Sequence, residues 1–187
     1  MKKTYSPDFI IHLLEEPTDD RRILKHQLKR EAYLRDLVQA LKISRKPLTR
    51  RILCDIIGYR HRFAKSAVPI LLECLEDPNW EVRTDATDAL CRIGDPRVGQ
   101  TLLEHFKTDP LPAYAFGLGS IKYKEAIPDL IRALLNDSAT IRGASAWSLG
   151  VMHAMEAKNS IKEALQNEND EWAINKMKTA IENLEEI

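Results

Sequence analysis

The stretch EVRTDATDALCRIGDPRVGQTLLEHF (Glu81–Phe106) is followed, fifty-nine residues on, by TIRGASAWSLGVMHAMEAKNSIKEAL (Thr140–Leu165): the same apolar pattern with different charges. At this offset Ala67 falls on Ala126, Pro69 on Pro128, Leu71 on Leu130, Leu75 on Leu134, Arg83 on Arg142 and Leu90 on Leu149. A slide of 31 lays AYAFGLG (Ala113–Gly119) on ASAWSLG (Ala144–Gly150), so the longer offset spans two units. Units end near Gly58, Gly94, Ser120–Lys122 and Val151–His153, a period close to 30. Repetition at such a period marks an architecture in which each unit buries its apolar face on the next.

Each unit reads as two helices. In AVPILLECLE, Val68, Leu71, Leu72 and Leu75 share one face at the i, i+3, i+4, i+7 spacing. Pro69 suits a first turn, where no intrahelical N–H bond is lost. DPN and NDS then supply turn residues and a helix N-cap. In the second helix Val82, Ala86, Ala89, Leu90 and Ile93 form the buried stripe, with alanines at its middle allowing close approach. Gly94 and Gly150 are expected at helix ends. Arg83 and Arg142 hold one register and call for a carboxylate or carbonyl partner in an inter-helix loop. Trp80 and Trp172 stand where units begin and are expected to pack.

VRTDATDALCRIGD (Val82–Asp95), IRGASAWSLG (Ile141–Gly150) and the preceding AVPILLECLED and AIPDLIRALLND resemble the HEAT-like repeat of phycobilin lyases, the PBS-lyase or E-Z type. The resemblance covers about residues 64–165, is weaker over 43–63 and 166–187, and is absent from 1–42. It implies an all-α fold: an α-α superhelix (HEAT-like solenoid) of about five helical hairpins over 43–187, with an N-terminal helical cap over 1–42. It leaves function open among bilin-lyase-like subunits, toxin-immunity proteins and plain interaction scaffolds. Cys91 replaces the motif glycine. Leu111 stands where the middle unit should have an arginine, so that unit's second helix should be short. Outside the repeat, Leu24, Leu28, Leu34, Leu37, Val38 and Leu41 suggest one long amphipathic capping helix from about Asp20, with Asp19 or Asp20 as N-cap.

Composition agrees with a globular chain: 187 residues, 44% hydrophobic and 30% charged. No apolar run approaches the roughly 20 residues of a membrane helix. The short apolar run near the N-terminus is broken by His12, against a signal peptide. Cys54, Cys74 and Cys91 lack CxxC spacing and are expected as free buried thiols, which with the fold points to a bacterial cytoplasm. The formal net charge of zero hides a gradient. Residues 21–65 hold fourteen Lys/Arg against three Asp/Glu, whereas 66–187 hold twelve against twenty.

No catalytic constellation emerges. None of the five histidines is followed by Glu or stands four residues from another, which argues against a zincin-like metal face. GLGS (Gly117–Ser120) lacks the third glycine and the strand of a phosphate loop. Neither a cofactor, a metal nor an enzymatic activity is expected. The expected role is non-catalytic: a scaffold binding another protein on the concave face lined by second helices. Asp88, Phe116, Trp147 and Lys178 fall on one stripe there, with Arg92 on another, and Phe116 and Trp147 are neighbours on theirs. The alternative is nucleic-acid binding by the basic, aromatic-bearing segment over 45–65, through Arg50, Arg51, Arg60, Arg62 and Lys65.

Overall fold

The computed structural model describes residues 5–16, 27–28, 33–59 and 61–185, without the side chains of 61–63. The described residues form eleven α-helices and no strand. The fold class is the one expected: all-α, built of helical hairpins. None of these helices is long and apolar enough to cross a membrane. The chain divides into two compact units, Met1–Asp95 and Pro96–Ile187.

The first unit holds α1 (Pro7–Glu15), α2 (Leu34–Ile43), α3 (Pro47–Gly58), α4 (Val68–Glu73) and α5 (Trp80–Ile93). Ser6 caps α1, accepting from the Phe9 amide at 3.2 Å. The long capping helix drawn from the sequence does not run through: Tyr33 is extended (φ −73, ψ 145) and α2 starts after it. Asp19, Asp20 and Leu24 lie outside the described residues. Because α2 packs on α3, it is the first half of a hairpin, and α1 packs against both.

The second unit holds α6 (Val98–Thr108), α7 (Pro112–Ser120), α8 (Ile127–Ala133), α9 (Ala139–Val151), α10 (Lys158–Gln166) and α11 (Glu171–Asn183). As expected, α7 is short, nine residues against thirteen in α9 and α11. Three first helices, α4, α8 and α10, begin alike. A 3-10 turn ends at Ala67, Ala126 or Ala157, each with no exposed surface. Pro69 and Pro128 follow in the first α turn, where the missing N–H costs nothing.

Second helices meet along seams of small residues. A Cβ on Gly58 of α3 would lie 2.6 Å from Ala89 Cα of α5. One on Gly119 of α7 would fall 2.6 Å from Ser148 Oγ of α9, and one on Gly150 of α9 would lie 2.7 Å from Ala180 Cα of α11. Gly150 is the penultimate residue of α9, at the helix end expected of it, but there it serves close approach and does not take the left-handed C-cap conformation. The left-handed residues after these helices are Lys122 (φ 55) and His153 (φ 53); only Gly94 (φ 69) takes the expected C-cap role. Ser148 Oγ lies 2.8 Å from the carbonyl oxygen of Ala115, a buried hydrogen bond across the α7–α9 seam. The predicted stripe of α5, Val82 to Ile93, is buried throughout.

Arginines stitch the loops. Arg50, Arg83 and Arg142 each donate Nη1 to the carbonyl six residues upstream: Ser44 at 3.4 Å, Asp77 at 2.8 Å and Asn136 at 2.7 Å. Arg50 and Arg142 also reach the loop carboxylate of the following hairpin. Arg50 Nε lies 2.7 Å from Asp77 Oδ2, and Arg142 donates Nε and Nη2 to Glu168 at 2.6 and 2.7 Å. These carboxylates in turn organise the following N-terminus: Asp77 accepts from the Asn79 amide and Glu168 from the Asp170 amide. Arg83 thus has the carbonyl partner expected of it and Arg142 both a carbonyl and a carboxylate, and Arg50 joins the same series.

Candidate protein-binding face

Three consecutive second helices of the Pro96–Ile187 unit each bring one aromatic ring to a common surface. Phe116 sits midway along α7, Trp147 in the third turn of α9, and Trp172 in the first turn of α11. The Phe116 and Trp147 rings meet edge-on with centroids 5.1 Å apart, and Phe116 and Trp172 do so at 6.2 Å. Phe116 and Trp147 are half-buried and Trp172 is 39% exposed. Edge-to-face contacts hold each ring in one orientation while leaving part of it to solvent. Such rigid aromatic area costs little ordering on binding.

The seam beneath makes the arrangement possible. Gly143 of α9 has no Cβ, and one placed there would lie 2.4 Å from Trp172 Cζ3 and 3.1 Å from Ala173 Cα. The indole of Trp172 therefore lies on bare α9 backbone and extends to Phe116. Asp170 accepts from the Ala173 amide at 2.9 Å and anchors the first turn that carries Trp172. One turn on, Lys176 Nζ stands 5.5 Å from the Trp172 ring centroid, a cation over the ring face.

The stripe drawn from the sequence is met in part. Phe116 and Trp147 are brought together. Lys178 is exposed on α11 and makes no ring contact; Trp172 holds the third place. The 31-residue slide assigns Lys178 to the ridge of Trp147, but α9 and α11 meet 30 residues apart, Gly143 on Ala173 and Gly150 on Ala180. That one-residue slip rotates Lys178 away. Trp172 was expected to pack at a unit entry; the glycine four residues before Trp147 was the signal that it would lie flat and reach Phe116. Trp80, expected to pack, is 58% exposed.

Asp88 and Arg92 belong to the Met1–Asp95 unit. Both are exposed on α5, and Arg92 Nη1 pairs with Asp55 Oδ1 at 3.0 Å. Desolvation raises the Asp88 carboxyl above its ordinary value; Asp85 and Asp55 add to this and Arg92 opposes it. Of the basic set, Arg50 is paired with Asp77, and Arg51 with Glu81 and Asp85, each at 2.8 Å. Lys65 is exposed. Arg60 and the side chain of Arg62 lie outside the described residues. Of the five basic residues singled out in that segment, the two described arginines, Arg50 and Arg51, are thus each paired with carboxylates of the fold. Among the described residues no cluster of three or more His, Cys, Asp or Glu could hold a metal ion.

The family pattern described as HEAT repeats matches residues 34–113 and 112–182, most of the chain. Comparison with curated proteins finds no match. Among solved structures, an engineered protein superposes with a TM-score of 0.56 at 15% identity over 96% of both chains, a likeness of fold. The complex of CpcE and CpcF of phycocyanin lyase from Nostoc sp. PCC7120 gives a TM-score of 0.47 at 19% identity, over 96% of this chain and 95% of that one. With its arginine-stitched hairpins and a family match that begins where α2 begins, the chain belongs to the HEAT-repeat family.

Proposed function

We propose that the protein is a non-catalytic scaffold that binds another protein through the aromatic face of α7, α9 and α11. The observation that carries this reading is the convergence of Phe116, Trp147 and Trp172, fixed by mutual contacts yet part-exposed. A ring kept at the surface forgoes burial that a purely structural aromatic would gain; a partner's apolar side chain supplies it. Lys176, over the Trp172 ring, supplies a polar edge suited to acidic or carbonyl groups of that partner. Asp88 and Arg92 offer a separate charged surface on α5.

Within the HEAT repeats, the shared register of Arg83 and Arg142 supports the PBS-lyase (E-Z) type. Three free cysteines support a reducing, cytoplasmic setting. The test is a photo-crosslinking residue placed at Trp147, with a second at exposed Trp80 as control, in cells that express the protein natively. Crosslinks to one protein from position 147 and not from 80 support the reading. Equal labelling from both, or labelling from 80 alone, rejects it.

A further inference from the structure

The loop-stitching arginines are not equally satisfied. Arg142 donates Nε and Nη2 to Glu168 at 2.6 and 2.7 Å, and Nη1 to the Asn136 carbonyl at 2.7 Å. Arg50 holds the same place on α3, but its loop carboxylate is Asp77, one methylene shorter than glutamate, whose Oδ2 meets Nε at 2.7 Å. The two Arg50 amino groups donate instead to the Ser44 carbonyl at 3.4 Å and to the Cys74 sulfur, a weak acceptor, at 3.6 Å. Ser44 is the odd member of its own series. The equivalent side chains, Asp77 and Asn136, each accept from the amide two residues on, at 2.9 Å. Ser44 is 4% exposed, and its Oγ has no hydrogen-bond partner among the described residues. A buried hydroxyl ordinarily has one.

Ser44 and Arg50 line one surface cavity of about 570 Å³, together with Lys42, Arg45, Pro47 and Asp77. Lys42, near the end of α2, and Arg45, in the loop to α3, are exposed, and neither has a carboxylate partner among the described residues. Asp77 has both oxygens engaged, Oδ2 with Arg50 and Oδ1 with the Asn79 amide. Three cations therefore line the cavity against one carboxylate that is already taken. α3 starts in the same wall at Pro47, and its N-cap residue, Lys46, makes no side-chain cap, so the positive helix end adds to the field.

We propose that this cavity binds the phosphoryl group of a phosphate monoester. The excess of two positive charges matches the monoester dianion at neutral pH. Arg50 offers amino groups whose present acceptors are distant, and Ser44 offers an unpaired hydroxyl. Lys42 and Arg45 close on the remaining oxygens as charge-assisted donors. A cavity of this size takes the organic part of the ester as well as its phosphoryl group. Every residue of the site belongs to the Met1–Asp95 unit and none to the aromatic face, so the site and the scaffold reading stand or fall separately.

The experiment titrates the full-length protein with O-phosphoserine, inorganic phosphate and serine, by calorimetry and by amide chemical shifts. The expected result is one site per chain for O-phosphoserine, none for serine, and shifts centred on residues 42–50 and 77–79. Inorganic phosphate binding as tightly as O-phosphoserine would place recognition in the phosphoryl group alone; tighter binding of the ester would add its organic part. Either supports the site. Lys42→Gln with Arg45→Gln changes two exposed side chains and should weaken binding about tenfold or more at an unchanged melting temperature. Ser44→Ala removes a hydroxyl that makes no bond in the free protein, so it too should melt as wild type while binding about tenfold more weakly. Affinity should fall at about pH 5, where the monoester is a monoanion. Three results would overturn the proposal: no binding of either phosphate probe at millimolar concentration, shifts confined to other residues, or wild-type affinity in the Lys42→Gln, Arg45→Gln protein.

Discussion

The indole of Trp172 lies on Gly143: a methyl group at that position would fall 2.4 Å from Cζ3 of the ring. One missing carbon thus lets the first turn of α11 cross α9 closely and carry its ring to Phe116. Gly150, two turns on, is just as crowded, but its neighbour is the Ala180 backbone at 2.7 Å. A side chain can yield where a backbone cannot, so the two glycines should respond differently to the same substitution.

Gly143→Ala should leave the melting temperature within a few degrees of wild type. A helix-propensity gain of about 1 kcal/mol offsets the displacement of Trp172. Tryptophan emission should shift red as the ring turns to water, and partner binding should weaken. Fluorescence and thermal melting on the same sample check both effects.

Gly150→Ala should lower stability by about 1–3 kcal/mol despite the same propensity gain, since α9 and α11 must separate. Urea unfolding followed by circular dichroism measures it. A stability equal to that of Gly143→Ala would mean that the α9–α11 seam is looser than described.

Leu90 has no exposed surface and lies on the buried stripe of α5. Leu90→Asp places an unpaired carboxylate there and should abolish cooperative melting of the Met1–Asp95 unit, a loss above about 4 kcal/mol. Retained cooperativity by calorimetry would contradict the stripe.

Arg142 holds Glu168, whose side chain is 2% exposed, and lowers its carboxyl from 4.5 to about 2. The unfolded chain binds this proton more readily, so stability rises with pH across the window between those values. The contribution is full above about 4.5 and disappears as pH falls to about 2. Glu168→Gln should cost about 1.5–3 kcal/mol at neutral pH and flatten this part of the acid limb. Melting temperatures of the two proteins from pH 2 to 7 give the comparison.

Hairpin order and the α5 stripe were readable from sequence because every unit repeats the same burial problem. Pro69 and Pro128 and the aligned Leu90 and Leu149 record it directly. Arg50 was harder to place. Its role is carried by the Ser44 carbonyl and by Asp77 in the following loop, so its letters resemble any basic run. The candidate face was half legible. Phe116 and Trp147 follow from the 31-residue register, whereas Trp172 does not, because the spacing at which α9 meets α11 is set by Gly143 and Gly150 rather than by the repeat length. Tyr33 marks a similar limit: the apolar spacing of Leu28 through Leu41 runs across it, and only its extended backbone shows that α2 begins afresh.

The central claim is that a partner protein seats on the rings of α7, α9 and α11, and affinity on ring truncation tests it most directly. With the crosslinked partner purified, Phe116→Ala and Trp147→Ala should each weaken binding by about 30-fold or more, equivalent to about 2 kcal/mol, with helicity unchanged. Trp80→Ala should bind as wild type does. Wild-type affinity in both Phe116→Ala and Trp147→Ala, measured calorimetrically on folded protein, would contradict the account.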